Sequence, residues 1–198
     1  GDEPHTVEVA LRKVDDTWQV DPVAAAVDLG LNGPDRVVNG VTVAPGTYNL
    51  FPGSYSVTSA NPLIGLDQTE FVVTSPSDPV EGWGPTPVLS DEGRAKAIEA
   101  GQRLIDECMQ VKELTPQSCP FIRWGEAGVS IDMDSLRYTL QNDPFAEAEF
   151  RFNPATMTAS ALVEVTHQIQ ASATMDGQVG SLVPKSQTNQ AGISVKLG

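Results

Sequence analysis

Val7, Val9 and Leu11 alternate with Glu8, Ala10 and Arg12, the period of two that marks a half-buried strand. Asp15-Asp16-Thr17 then supplies turn residues before Trp18-Gln19-Val20, so the segment predicts a hairpin. Asn32-Gly33-Pro34 and Asn39-Gly40 are further turn signals, because Asn and Gly tolerate positive φ, and Arg36-Val37-Val38 between them is short and β-prone. Val41–Val43, Thr47–Leu50, Ser54–Thr58 and Glu70–Val73 follow as short strands bounded by Gly or Pro-Gly. Many short strands between turn dipeptides predict a small antiparallel β-sandwich over residues 1–75.

The pattern changes after Ser75. Pro76, Pro79, Pro85 and Pro87 with Gly82 and Gly84 oppose both helix and central strand, so residues 76–88 read as a stiff linker in which Trp83 is exposed unless it docks. Ser90 can then cap a helix whose first turn holds Asp91 and Glu92. Ile98, Gly101, Leu104, Ile105, Cys108 and Val111 recur at three-and-four spacing, which predicts one long amphipathic helix to about Glu113, ended by Thr115-Pro116. Strands are expected over 129–133, 136–140, 146–152, 157–173 and 192–197, with turns at Asn142-Asp143-Pro144, Asn153-Pro154 and Asp176-Gly177. The fold class is therefore α+β: the sandwich, then residues 89–198 as one long helix packed on a curled antiparallel sheet.

Three stretches resemble known families. Residues 11–21, Leu11 through Asp21, resemble the closing hairpin of cystatin-like or nuclear-transport-factor-like domains of bacterial envelope proteins, which implies that the hairpin belongs to the tail of an upstream domain. Val38-Asn39-Gly40-Val41 and Phe51-Pro52-Gly53-Ser54-Tyr55-Ser56-Val57 resemble PEGA-like surface modules. Such modules serve as envelope binding or spacer domains and carry no catalytic residues to transfer. Leu104 to Cys108 with Leu114 to Phe121 resembles actinobacterial membrane-anchored envelope proteins of unassigned function, and the helix-plus-sheet half as a whole is similar to the cystatin or nuclear-transport-factor group.

Charge and cysteines narrow the function. Twelve Lys and Arg against 26 Asp and Glu give a formal charge of −14 over 198 residues, which repels phosphate backbones and anionic lipid heads. Nucleic acid is not an expected partner. Cys108 and Cys119 flank a helix end and a Pro-containing turn, a spacing within disulfide reach. A bond there is worth roughly 3 kcal/mol on the chain-entropy model and persists in an oxidising compartment. Two buried free thiols are the alternative, and a zinc site suits the spacing less because no histidines stand near to complete a tetrahedral shell. No run reaches the roughly 20 apolar residues of a membrane span, and Gly1-Asp2-Glu3-Pro4 is not a signal peptide. The expectation is an extracytoplasmic segment whose leader or anchor lies upstream.

Candidate chemistry is sparse. His5 and His167 fall in different expected domains, which disfavours a nucleophile–imidazole engine. Alternation places His167 with Val163, Val165 and Ile169 on an apolar face, where a lone His is usually a core or rim residue. Asp132 with Asp134, and Glu147 with Glu149, share strand faces, but a solvated face explains such pairs better than calcium or acid–base work, and no calcium-loop or phosphate-loop motif is present. Tyr48, Phe51 and Tyr55 cluster about a Pro-Gly turn and, with Trp83, form the candidate contact surface for sugar or peptide, although Phe at a turn and alternating Tyr on strands are more often packing residues. The leading expectation is a non-enzymatic extracytoplasmic binding or spacer region of an envelope protein, with no cofactor, no metal, and no partner named beyond a cell-envelope protein or polymer. The rival is a ligand-carrying, lipid-carrying or hydrolytic domain with a pocket between helix and sheet, in which Asp132 and His167 would meet.

Overall fold

Asn39 and Gly40 take φ values of 46° and 84° in a computed structural model of the chain, the left-handed pair that a two-residue hairpin turn requires. The structure describes residues 10–21, 23–30, 33–76, 80, 84–119, 121–123, 129–182 and 184–197. His5 and Trp83 lie outside them. Among the described residues the chain is antiparallel β throughout, with one helix, so the class is a β-rich α+β. It divides into two compact units, Gly1–Gly93 with Pro154–Thr156, and Arg94–Asn153 with Met157–Gly198.

The first unit opens with β1 (Leu11–Val14) and β2 (Thr17–Val20), a hairpin turned by Asp15 and Asp16, both at positive φ. Arg12 pairs with Asp21 at 2.8 Å and Lys13 with Asp16 at 2.6 Å. Next come β3 (Ala25–Asp28), β4 (Arg36–Val38), β5 (Val41–Val43), β6 (Thr47–Leu50), β7 (Gly53–Ser59), β8 (Ile64–Leu66), β9 (Glu70–Val73) and β10 (Pro87–Leu89). They pair as β3–β6, β5–β4–β7–β9 and β8–β10. Inward residues of several strands, Ala25, Val27, Val38, Val57, Phe71 and Val73, form the core. The Asn39 side chain ties the β4–β5 turn to β7, its Oδ1 accepting the Ser56 N–H at 2.8 Å and the Ser56 hydroxyl at 3.1 Å.

The last residues of the expected linker are not a free spacer. Pro87–Leu89 pairs with β8, and the Asp67 N–H donates to the Thr86 carbonyl at 3.1 Å while Asp67 Oδ1 accepts the Thr86 N–H at 2.7 Å. Proline is tolerated there because it is the first residue of an edge strand.

The helix α1 (Asp91–Met109) starts where Ser90 Oγ accepts the Gly93 N–H at 3.0 Å, satisfying an otherwise orphan donor. It stops four residues before Glu113. Gln110 and Val111 close tighter i→i−3 bonds to the Glu107 and Cys108 carbonyls, and Pro116 biases the chain before it away from helix. The buried stripe is Ala97, Gly101, Ile105 and Cys108, whereas Leu104 is 44% exposed. The face is thus rotated from the one expected. Gly101 sets it: a Cβ there would lie 2.5 Å and 2.8 Å from Phe145 ring atoms and 3.3 Å from an Ile193 methyl.

In the second unit β11 (Ser130–Ile131) is followed by β12 (Arg137–Leu140), β13 (Arg151–Asn153), β14 (Thr158–Gln170), β15 (Ser172–Met175), β16 (Gln178–Ser181) and β17 (Lys185–Lys196). β11, β15 and β16 form a three-stranded sheet. β12 and β13 share one edge of β14, and β17 runs along the other from Thr158↔Lys196 to Ile169↔Lys185. Residues 146–150, expected as strand, instead continue the Asn142-Asp143-Pro144 turn, in which Asp143 Oδ1 accepts the Phe145 N–H at 2.9 Å. β17 begins seven residues earlier than expected because Lys185–Gln190 carries no apolar alternation for the pattern to register.

Candidate functional site

Two tyrosines of the first unit carry the same local device. In Ala44-Pro45-Gly46-Thr47-Tyr48 and Phe51-Pro52-Gly53-Ser54-Tyr55, each tyrosine hydroxyl donates at 2.8 Å to the carbonyl four residues back, Ala44 and Phe51. Each ring covers its own Pro-Gly turn, with the Cβ position of Gly46 and of Gly53 at 3.9 Å from a ring carbon. Tyr55 also stacks on Phe71 at 5.1 Å between centroids. Both rings are half-buried against the core, while Phe51 is 65% exposed. Each hydroxyl thus latches its own turn, and of the expected cluster Phe51 is the outward ring while the two tyrosines are half-buried beside it. The repeated Pro-Gly-x-Tyr spacing was the signal available in the sequence.

Arg36 is a feature that sequence reasoning passed over. It is fully buried. Its Nε donates to the Leu29 carbonyl at 3.3 Å and its Nη1 to the Pro34 carbonyl at 2.9 Å, leaving Nη2 without a partner. Burial lowers its pKa. Alternation within Arg36-Val37-Val38 already placed it on the face of core residue Val38.

His167 and Asp132 occupy different settings. His167 is fully buried on the inward face of β14, its ring 5.9 Å from that of Tyr138 and 6.4 Å from that of Phe121. Neither Nδ1 nor Nε2 has a hydrogen-bond partner. Burial lowers its pKa, which keeps the ring neutral. Burial pushes the Tyr138 phenol up to about 12, and its hydroxyl donates to the Glu113 carbonyl at 2.7 Å. Asp132 stands exposed in a turn, its Oδ1 accepting the Asp134 N–H at 3.1 Å. No hydrogen bond joins it to His167. Glu147 and Glu149 are exposed outside any strand. No group of three or more His, Cys, Asp or Glu residues placed to hold a metal ion occurs among the described residues.

Cys108 and Cys119 are joined by a disulfide with Cα atoms 5.7 Å apart. The bond holds the segment after the helix against the helix end, and Phe121 and Ile122 immediately beyond it are buried. A cleft of about 540 Å³ opens beside it. Leu104 and Val111, the disulfide with Phe121, and β17 residues Ala191–Ser194 line it, with Glu107 as the charged residue among the described lining. Leu104, Glu107, Gly192 and Ser194 are exposed, so this is a surface cleft rather than a sealed cavity. Its volume falls in the range of small-ligand sites. No helix among the described residues is long and apolar enough to cross a membrane. Compared with protein families, with curated proteins and with solved structures, the chain matches none.

Proposed function

We propose that the protein is a non-catalytic binding region of an extracytoplasmic, membrane-anchored envelope protein, built from a PEGA-like β-sandwich module and a cystatin- or nuclear-transport-factor-like module whose sheet curls about the helix. The observation that carries this reading is the cleft between α1 and β17: among the described residues its lining is largely apolar with one charged member, Glu107, which suits it to holding a partner and pairs no acid with a base to transform one. The disulfide favours an oxidising compartment, and the acidic surface favours solubility beside anionic polymers.

The rival, a ligand or lipid carrier, would draw on the same cleft, but its open side favours docking over enclosure. A neutral phenyl-naphthylamine dye tests the reading. Saturable fluorescence that is lost in Leu104→Glu is expected, together with no turnover of ester, peptide or glycan substrates. Turnover that disappears on His167→Gln or Asp132→Asn would overturn it.

A further inference from the structure

We infer that the cleft takes an extended polypeptide segment of another chain, which adds to β17 as a further strand. This rests on reading the cleft as a binding site and names what binds there. Three observations carry it. β17 is twelve residues long, and among the described residues its sheet partner is β14 alone. Every second residue of its other edge therefore presents an unpaired N–H and C=O, the template that an added strand completes.

The cleft reaches that edge. Ala191 and Ile193 point into the core while Gly192 and Ser194 point to solvent, yet all four consecutive residues line the cleft. Residues on alternate faces can share one lining only where the opening runs along the backbone edge between them.

The opposite wall supplies selectivity. An added strand sends alternate side chains to one face, and those turned toward the helix meet Leu104, Val111 and Phe121. The occupant is accordingly a segment with apolar residues at every second position. Glu107 on the same wall calls for a basic residue at one end of the segment. Lys185 and Lys196 close the two ends of β17 itself, and a second copy pairing antiparallel across the edge would set lysine against lysine, which disfavours self-association there.

The probe is an acetylated, amidated hexapeptide that alternates valine with serine and carries one lysine at an end, titrated into the whole chain and followed by backbone-amide NMR. Saturable shifts are expected at Ala191–Ser194 and around Leu104 and Glu107. N-methylation of the peptide's central amides should weaken binding at least about tenfold, because it removes main-chain donors and keeps the side chains. Glutamate in place of the lysine, or Leu104→Glu in the protein, should weaken it comparably. Shifts that map elsewhere, or binding indifferent to N-methylation, would overturn strand addition. If the hexapeptide fails while the naphthylamine dye still binds, this inference falls and the binding role of the cleft stands. If both fail, both fall.

Discussion

His167 makes the stability of the second unit depend on pH in a direction that its surroundings dictate. The ring is fully buried between Tyr138 and Phe121, and neither nitrogen has a partner. Tyr138 is the titratable group in contact with it, and Tyr138 stays neutral with its pKa pushed up to about 12. The folded state therefore resists protonation, whereas the unfolded chain takes up a proton near the ordinary value of about 6.5. Above that value the two states bind equally, and no penalty exists. As pH falls below it, the unfolded state gains a proton that the folded state lacks, and stability drops by up to about 1.4 kcal/mol per pH unit until the lowered folded pKa is reached. His167→Leu removes the titration and two orphan polar atoms, each of which costs about 1–3 kcal/mol when buried unpaired. Urea unfolding of both proteins at several pH values between neutral and mildly acidic, followed by circular dichroism, isolates the effect as a difference that cancels the titrating carboxylates. The variant should be as stable as the parent or more so at neutral pH, and its advantage should grow as pH falls. An advantage that is constant with pH would mean that His167 is solvated or paired. One that shrinks with acid would mean that the charged ring is the stabilised form, and either result refutes the reasoning.

Reduction of the Cys108–Cys119 bond, or Cys108→Ser with Cys119→Ser, should cost about 3 kcal/mol from the eleven-residue separation it closes, read as a shift in the urea midpoint. Gly101→Ala should lower stability by about 1–3 kcal/mol although alanine is the better helix former, because its methyl would collide with Phe145; a stabilised variant in thermal unfolding would show that the helix can shift outward freely. Tyr48→Phe and Tyr55→Phe should each cost about 0.5–1.5 kcal/mol through loss of the bond to the carbonyl four residues back, measured by denaturant unfolding, with equal effects if the two latches are equivalent.

Local chemistry was legible in the sequence. The turns at Asn39-Gly40 and Asp176-Gly177 were readable because positive φ is a property of those residues themselves, and the inward set of β14, His167 included, followed from strict alternation. What depended on distant partners was not. β3 is a four-residue alanine-rich strand stabilised by β6, and β8 and β10 are three residues each and exist by pairing across 20 intervening positions or more. Of the expected helix face Gly101, Ile105 and Cys108 are buried, whereas Leu104, placed there by its hydrophobicity alone, is turned outward because the contact of Gly101 with Phe145 and Ile193 sets which side of the helix meets the sheet.

The cleft shows why a site can be absent from every motif and still follow from ordinary packing. Gly101, midway along the helix, brings it down onto Phe145 and Ile193, while Leu104 is turned outward and lines the cleft with β17. The helix then ends at Met109, and the disulfide turns the following segment back, so that Phe121 is buried beside the ring of His167. One wall is thus a helix held away from the strand edge by a fold-back, and the other is an edge with no fifth strand among the described residues to close it. Filling that gap with protein would need a longer helix or another strand. Because the helix stops early, the apolar surface of Leu104, Val111 and Phe121 is left facing unpaired backbone, and the combination is most fully satisfied by a segment that supplies both side chains and main-chain hydrogen bonds.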